Sequence, residues 1–313
     1  MSEADRPATP PVLVTGGNGF IGSRLILRLV SLGRPVRAIV RRAGTAAGHG
    51  SPLVEEIVGD FVLPEVAGPA ARGVQYVVHA AATAGPDLEA VRRVNADGTR
   101  AMVEAARAAG VRRFVQISTV SVYAAAGLDR ADESTPVKTS GEPYGVTKAE
   151  GDRVVLDAIA RGLPAVILRP GAVLGAHPTS TWAVRVPERI RSRDVKIRID
   201  GGDTIPWVHV DDVVDAILLA MADDRAIGRI YTLVDGHVTW RAYTDRVRSW
   251  FGTAPLDVVP REEVPPGGYS TTRFDGSRIR NELGHAPKRT YEEGMAEAEA
   301  YWMARGEETR AGG

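Results

Sequence analysis

Val12-Leu13-Val14-Thr15-Gly16-Gly17-Asn18-Gly19-Phe20-Ile21-Gly22 is the stretch whose reading decides the fold. A short apolar strand run enters a glycine turn, and Ile21, Leu25, Leu29 and Leu32 then recur at helical spacing. Strand, glycine turn and helix in that order supply the context that a bare glycine motif lacks. Glycines at 16, 19 and 22 suit a tight turn, close backbone approach to a pyrophosphate, and close packing of helix on strand. The helix that follows presents its first N–H groups to the phosphate. The competing reading, glycines that serve only the turn, explains less of this pattern.

Downstream, apolar strand runs recur at Pro35–Val40, Ile57–Asp60, Gln75–Ala82, Arg113–Thr119 and Ala165–Pro170. Helical patterns separate them, among them a long one predicted over Val91–Ala109 and closed by Gly110. Regular alternation of strand and helix predicts an α/β fold, a doubly wound parallel Rossmann sheet. Residues 1–175 plus 207–236 are expected to form the nucleotide-binding domain, and 176–206 plus 237–313 a smaller C-terminal substrate lobe.

In an NAD-binding fold of this kind, a carboxylate about 20 residues beyond the glycines holds the ribose hydroxyls. Here Val40 stands at that place, followed by Arg41 and Arg42. A carboxylate repels a 2′-phosphate, whereas guanidinium forks bind one bidentately, so NADP(H) is the expected cofactor. Two arginines solvated at a strand end are the alternative. Gly44–Pro52 reads as a flexible loop over the adenosine end, and Asp60 as an acceptor for the adenine amino group. His79 has no second ligand at metal spacing and reads as a structural hydrogen-bonding histidine; no metal site is expected.

Tyr144 and Lys148 lie four apart in Pro143-Tyr144-Gly145-Val146-Thr147-Lys148, on one face of the helix that Pro143 opens. A free phenol titrates near ~10, so acid/base work near neutrality needs a shift of roughly three units, about 4 kcal/mol. A fixed lysine charge can supply much of it. About 25 residues earlier, Ser118, Thr119 and Ser121 put hydroxyls at the C-terminal end of a strand, where open α/β sheets bind ligands.

Composition narrows the partners. The 313 residues carry 39 Lys+Arg and 39 Asp+Glu, so no global charge favours nucleic acid or an anionic membrane. Without cysteine there is no disulfide or thiolate chemistry, which fits a cytoplasmic protein. Met1–Pro11 reads as a lead-in rather than a secretory signal, and apolar runs such as Val213–Met221 are too short to span a membrane. Arg185–Arg198 is locally basic; a solvated helix face is favoured there over an anion grip. Asp211 and Asp212 precede an apolar helix and read as caps rather than catalysts. Trp182, Trp207 and Tyr269 suit either the walls of an apolar substrate pocket or lobe core.

The ordered motifs resemble the extended short-chain dehydrogenase/reductase family, the NAD-dependent epimerase/dehydratase superfamily. They are TGGNGFIG (Thr15–Gly22), GD (Gly59-Asp60), HAAA (His79–Ala82), NADGT (Asn95–Thr99), ISTVSVY (Ile117–Tyr123), YGVTK (Tyr144–Lys148), LRPGAVLG (Leu168–Gly175) and WVHVDD (Trp207–Asp212). FDGSRIRNELGHAP (Phe274–Pro287) also looks familial. The resemblance implies Tyr144 as acid/base, Lys148 lowering its pKa and holding the nicotinamide ribose, and Thr119 binding the substrate oxygen. It implies cofactor contacts at Gly16, Gly19, Phe20, Ile21, Gly22, Arg41, Arg42, Asp60, Ala80, Ala81, Asn95, Lys148, Pro170 and Val173. Members often dimerise through two helices, here Val91–Ala109 and the Tyr144 helix, so a homodimer is among the expected assemblies.

Departures from the family pattern sharpen the expectation. The sugar-nucleotide 4,6-dehydratases place Asp-Glu after the active Thr, where this chain has Val120-Ser121. Many sugar-nucleotide epimerases carry Asn at the place of Ala172 and Arg-Asp at that of Ile205-Pro206. Val40-Arg41 looks like the NADP-using reductases of the family. The expected activity is NADP(H)-dependent reduction of a ketone on a medium-sized metabolite, or the reverse. The alternative is a nucleotide-sugar epimerase or 4-ketoreductase with the same Thr119, Tyr144 and Lys148.

Overall fold

The structure is a computed structural model describing residues 9–264 and 269–311; of the lead-in expected over Met1–Pro11, residues 1–8 lie outside them. In chain order come β1 (Val12–Thr15), α1 (Phe20–Ser31), β2 (Val36–Val40), β3 (Val54–Val58), α2 (Pro64–Ala71) and β4 (Tyr76–His79). Next are α3 (Leu88–Arg92), a π turn (Arg93–Asp97), α4 (Gly98–Ala109), β5 (Arg113–Ile117), β6 (Arg130–Ala131) and α5 (Pro143–Ala160). Then follow β7 (Ala165–Pro170), β8 (Ala172–Leu174), α6 (Val186–Arg191), β9 (Ile197–Arg198), β10 (Thr204–His209) and α7 (Val210–Ala222). The chain closes with β11 (Ile230–Leu233), β12 (Gly236–Thr239), α8 (Trp240–Phe251), β13 (Val258–Val259), β14 (Arg273–Phe274), α9 (Ser277–Leu283) and α10 (Tyr291–Ala311).

Seven strands form one parallel sheet in the order β11-β7-β5-β4-β1-β2-β3. From β1 the chain steps outward through β2 to β3, then returns to β4 on the other flank of β1. The C-terminal ends of β1 and β4 therefore mark the topological switch point, where such sheets bind ligands. Val12, Leu13 and Val14 are wholly buried, as expected of a strand covered on both faces. On one face Leu13, Val77, Phe114 and Ile167 pack with Met102 and Ala106 of α4 and Val155 and Ala158 of α5. This core fixes α5, and with it Tyr144 and Lys148.

By its contacts the chain forms two compact units. The first comprises the chain up to Ser118, Lys138–Leu168 and Ile217–Ile230; the second comprises Thr119–Val137, Arg169–Ala216 and the chain from Tyr231. These contacts group the chain differently from a division at 175, 207 and 236. In the second unit β10 runs parallel to β8 and antiparallel to β12. Its core gathers Leu174, Ile190, Tyr243, Val247, Met295 and Trp302, with Trp182 and Trp207 packed partly buried against it. Trp182 meets the Tyr243 ring edge-on at 5.4 Å and takes the Tyr243 hydroxyl on its carbonyl at 2.6 Å, so it belongs to the lobe core.

Three local expectations change. The single helix expected over Val91–Ala109 is broken by the π turn at Arg93–Asp97. Gly171–Gly175, whose flanking glycines suit a turn after the Ala165–Pro170 strand, contains β8, which pairs Val173 with Val208. The Gly44–Pro52 loop is pinned: Glu56 on β3 accepts the Gly44 and Ala46 N–H groups, both at 2.7 Å, and Ala47 N–H reaches the Gly17 carbonyl at 3.2 Å. Among the described residues no helix is long and apolar enough to cross a membrane.

Candidate active site

The glycine turn is built by exclusion of side chains. Gly16 has φ +71°, a conformation that L side chains rarely adopt, and a Cβ there would stand 2.9 Å from Ala81 N. A Cβ at Gly22 would stand 2.1 Å from the Gly16 carbonyl oxygen. That carbonyl accepts the Gly19 N–H at 2.9 Å and closes the turn. Gly19 then caps α1 without a side-chain bond, so no capping side chain occupies the start of the helix. The small Ala80 and Ala81 let the end of β4 pass close to Gly16. Phe20 and Ile21 open α1 itself.

At the end of β2, Arg41 and Arg42 are exposed. Asp60 takes Arg93 on one oxygen at 2.7 Å and the Val62 N–H on the other at 3.1 Å. Burial pushes its carboxyl up, but Arg93, the Val62 N–H and the Arg41 charge hold it below the ordinary range. Part of its hydrogen-bonding capacity is therefore committed to the protein. His79 is wholly buried and lies 2.7 Å from Thr15 Oγ1 through Nδ1, while Thr15 Oγ1 also accepts the Ala81 N–H at 3.1 Å. Burial, then the Lys148 charge, depresses its imidazole to about 3. It is a structural neutral histidine, as its lack of ligand partners implied.

On α5, Pro143 occupies the first turn, Tyr144 is half-buried and Lys148 is only 1% exposed. Lys148 Nζ donates to the Ile117 carbonyl at 2.7 Å. Burial lowers this ammonium to about 8, with Asp152 acting in the opposite direction. Asn95 sits in the π turn and locks the start of α5. Its Oδ1 accepts the Thr83 N–H at 2.9 Å, and its Nδ2 donates to the Thr83 carbonyl at 2.9 Å and to Thr147 Oγ1 at 3.0 Å. Thr147 in turn donates to the Pro143 carbonyl at 2.8 Å. π turns inside helices frequently mark functional sites, and this one places an amide where a regular turn would place it elsewhere. Glu56, Thr83, Thr147 and Asp152 are absent from the set inferred from sequence.

In the second unit, Thr119 is 8% exposed, and its Oγ1 accepts the Ser121 N–H at 3.1 Å, capping a 3₁₀ turn at Val120–Val122. Its O–H remains a donor. Pro170 ends β7, buried, and Val173 lies on β8. Asp212, wholly buried, accepts the Lys288 and Arg289 N–H groups on its two oxygens at 2.8 and 3.1 Å. His209 Nδ1 caps α7, taking the Asp211 N–H at 3.1 Å. In the basic stretch, Arg189 pairs with Asp194 and Arg193 with Asp257, while Arg191 lies over the Trp302 ring. Among the described residues no group of three His, Cys, Asp or Glu is arranged to hold a metal ion.

The profile of the NAD dependent epimerase/dehydratase family matches residues 12–233. The chain belongs to that family. This epimerase/dehydratase-family protein is 30% identical to a 4-hydroxy-2-methyl-3-oxo-4-farnesyl-3,4-dihydroquinoline-1-oxide ketoreductase of Stigmatella aurantiaca, over 90% of this chain and 93% of the relative. It is 29% identical to a dTDP-glucose 4,6-dehydratase of Streptomyces griseus, over 94% of each chain. A solved dTDP-glucose 4,6-dehydratase of Streptomyces venezuelae, with NAD bound, superimposes with a TM-score of 0.80 at 26% identity, covering 94% of this chain and 97% of that one. Its relatives make this family member an enzyme of the extended short-chain dehydrogenase/reductase type, a class of oxidoreductases and epimerases.

Proposed function

We propose that this chain is an NADP(H)-dependent ketoreductase that interconverts a ketone and a secondary alcohol on a medium-sized metabolite. The observation that carries this reading is the buried Lys148 one helical turn beyond Tyr144 on α5, tied to the end of β5 through Ile117. A cation held there favours the phenolate and so brings Tyr144 toward the pH at which it can trade protons.

The glycine turn fits a dinucleotide. The start of α1 is free of a capping side chain, and the absence of Cβ atoms at positions 16 and 22 lets the backbone close as a pyrophosphate cradle requires. When bound, the nicotinamide supplies or accepts the hydride. Tyr144 gives its proton to the carbonyl oxygen during reduction and takes it back during oxidation. Lys148 stabilises the phenolate left behind. Asn95 holds the first turn of α5 in place through Thr147 and Thr83. Thr119 is assigned, by family resemblance, to bind the same substrate oxygen through a hydrogen bond from its hydroxyl, keeping its own proton. Pro170 and Val173 are assigned to the nicotinamide side, and Asp60 to the adenine end.

Val120-Ser121 in place of an acidic pair disfavours the dehydratase chemistry named for the Streptomyces relatives, because elimination needs an additional acid and base. The ketoreductase of Stigmatella, by contrast, carries a name that matches the reading. A second reading, a nucleotide-sugar epimerase or 4-ketoreductase, is supported by the nucleotide-sugar names among the relatives.

One assay separates the two. In a panel of ketones and UDP- or dTDP-sugars followed by NADPH absorbance, apolar ketones are expected to turn over. NADPH is expected to bind at least about tenfold tighter than NADH, or roughly 1.4 kcal/mol. Arg41→Ala should erase most of that difference, since Arg41 is exposed at the end of β2, where its guanidinium can meet a 2′-phosphate. Equal affinities in the parent would overturn the cofactor assignment, and turnover confined to nucleotide sugars would favour the second reading.

A further inference from the structure

We propose that Asp152 is a positioning residue: its carboxylate, one helical turn beyond Lys148 on the same face of α5, keeps the Lys148 side chain charged inside the protein. This rests on the proton-handling role proposed above for Lys148. Residues four apart on a helix are surface neighbours, and both side chains are only 1% exposed. Buried charges are rarely tolerated unless paired. Between them α5 runs so close to the π turn that a Cβ at Gly151 would stand 2.7 Å from the Asn95 carbonyl oxygen. The pair is thus enclosed on that side by backbone.

The other groups facing this part of α5 do not supply the missing negative charge. From β5 comes the Ile117 carbonyl, and from β4 His79, which burial keeps neutral. The π turn and α4 present Asn95 and Thr99, both neutral, with Thr99 donating to the Asn95 carbonyl at 2.7 Å. On α3, Arg92 is taken by Glu89 and by Glu150 of α5, the latter at 2.9 Å. Tyr144 is the remaining titratable group on this face of α5. Asp152 is the carboxylate left to oppose the cost of burying Lys148, and it does push the ammonium upward although burial still leaves it at about 8. Without Asp152 the lysine would lose its proton at lower pH, and Tyr144 would lose the cation beside it.

The test reads Lys148 directly, without cofactor or substrate, so its outcome is separable from whether the chain is a ketoreductase. The sequence holds four lysines, Lys138, Lys148, Lys196 and Lys288. In the full chain labelled with [13Cε]lysine, the Lys148 signal is assigned by its loss in Lys148→Met and titrated by NMR. A midpoint near 8 is expected in the parent. In Asp152→Asn it should fall by at least about one unit, a tenfold change in the protonation equilibrium, and Asp152→Glu should restore most of the shift. Denaturation against pH gives a second readout. Because Lys148 binds its proton less tightly folded, at about 8, than at its ordinary 10.5, the unfolded chain holds more protons between these values, and stability rises with pH across that window. In Asp152→Asn the rise should begin at lower pH. If Asp152→Asn does not fold, the double variant with Lys148→Met should recover the fold, since no unpaired ammonium remains. An unchanged midpoint in Asp152→Asn, or a double variant as unfolded as the single one, would overturn the proposal.

Discussion

Tyr144→Phe is expected to lower turnover by about 10²–10⁴-fold while leaving dinucleotide affinity unchanged. The substitution removes one oxygen from a half-buried side chain at the start of α5 and leaves its ring in place. Pro143 still opens the helix, and Asn95 still anchors it through Thr147. The glycine turn on α1 is untouched. What disappears is the proton donor for reduction and the acceptor for oxidation, with no neighbouring group on α5 able to replace it at the same place. Turnover is read with the ketone that the parent reduces, and affinity by titrating NADPH into both proteins. A Tyr144→Phe protein with parental turnover would remove Tyr144 from the chemistry.

Gly22→Ala is expected to have the opposite signature, losing dinucleotide binding first and stability with it. A Cβ at position 22 would meet the Gly16 carbonyl oxygen at 2.1 Å, and the obstacle is backbone that closes the turn, not a side chain that can swing aside. Either α1 shifts away from β1 or the turn opens. Overpacking in well-ordered surroundings typically costs about 1–3 kcal/mol, and here the displaced atoms are those that form the phosphate cradle. Thermal melting with and without NADPH checks it: the variant should melt below the parent, and added NADPH should no longer raise its melting temperature. A full ligand-induced shift in Gly22→Ala would show that the cradle does not depend on this close approach.

The two variants also mark what was legible in the sequence. Gly16, Gly19 and Gly22 could be read because a missing Cβ has a local consequence that spacing reveals, and Tyr144 and Lys148 because four residues make about one helical turn. Alternation of strand and helix made the parallel, doubly wound sheet legible, and the sheet has that form; its strand order comes from the fold. Contacts between distant segments left no such trace. Asn95 was placed in the site by family resemblance, but its actual partners, Thr83 and Thr147, are joined to it only by the fold. Glu56 lies beside Glu55 just before the strand expected at Ile57–Asp60, and nothing local announces that it binds the N–H groups of Gly44 and Ala46. Asp212 had the position of a helix cap, yet it bonds backbone 76 and 77 residues away. The π turn at Arg93–Asp97 was hidden because its apolar spacing differs from that of a helix by a single residue.

The proposed mechanism has Lys148 tune Tyr144 as the proton-handling group. Its most direct measurement is a spectrophotometric titration of tyrosine ionisation in the dinucleotide-bound enzyme, with the Tyr144→Phe curve subtracted from that of the parent. One phenol is expected to ionise about two to three pH units below free tyrosine, and Lys148→Met should move that step back toward the ordinary value. A Tyr144 step that coincides with ordinary tyrosine, or that stays put in Lys148→Met, would contradict the account.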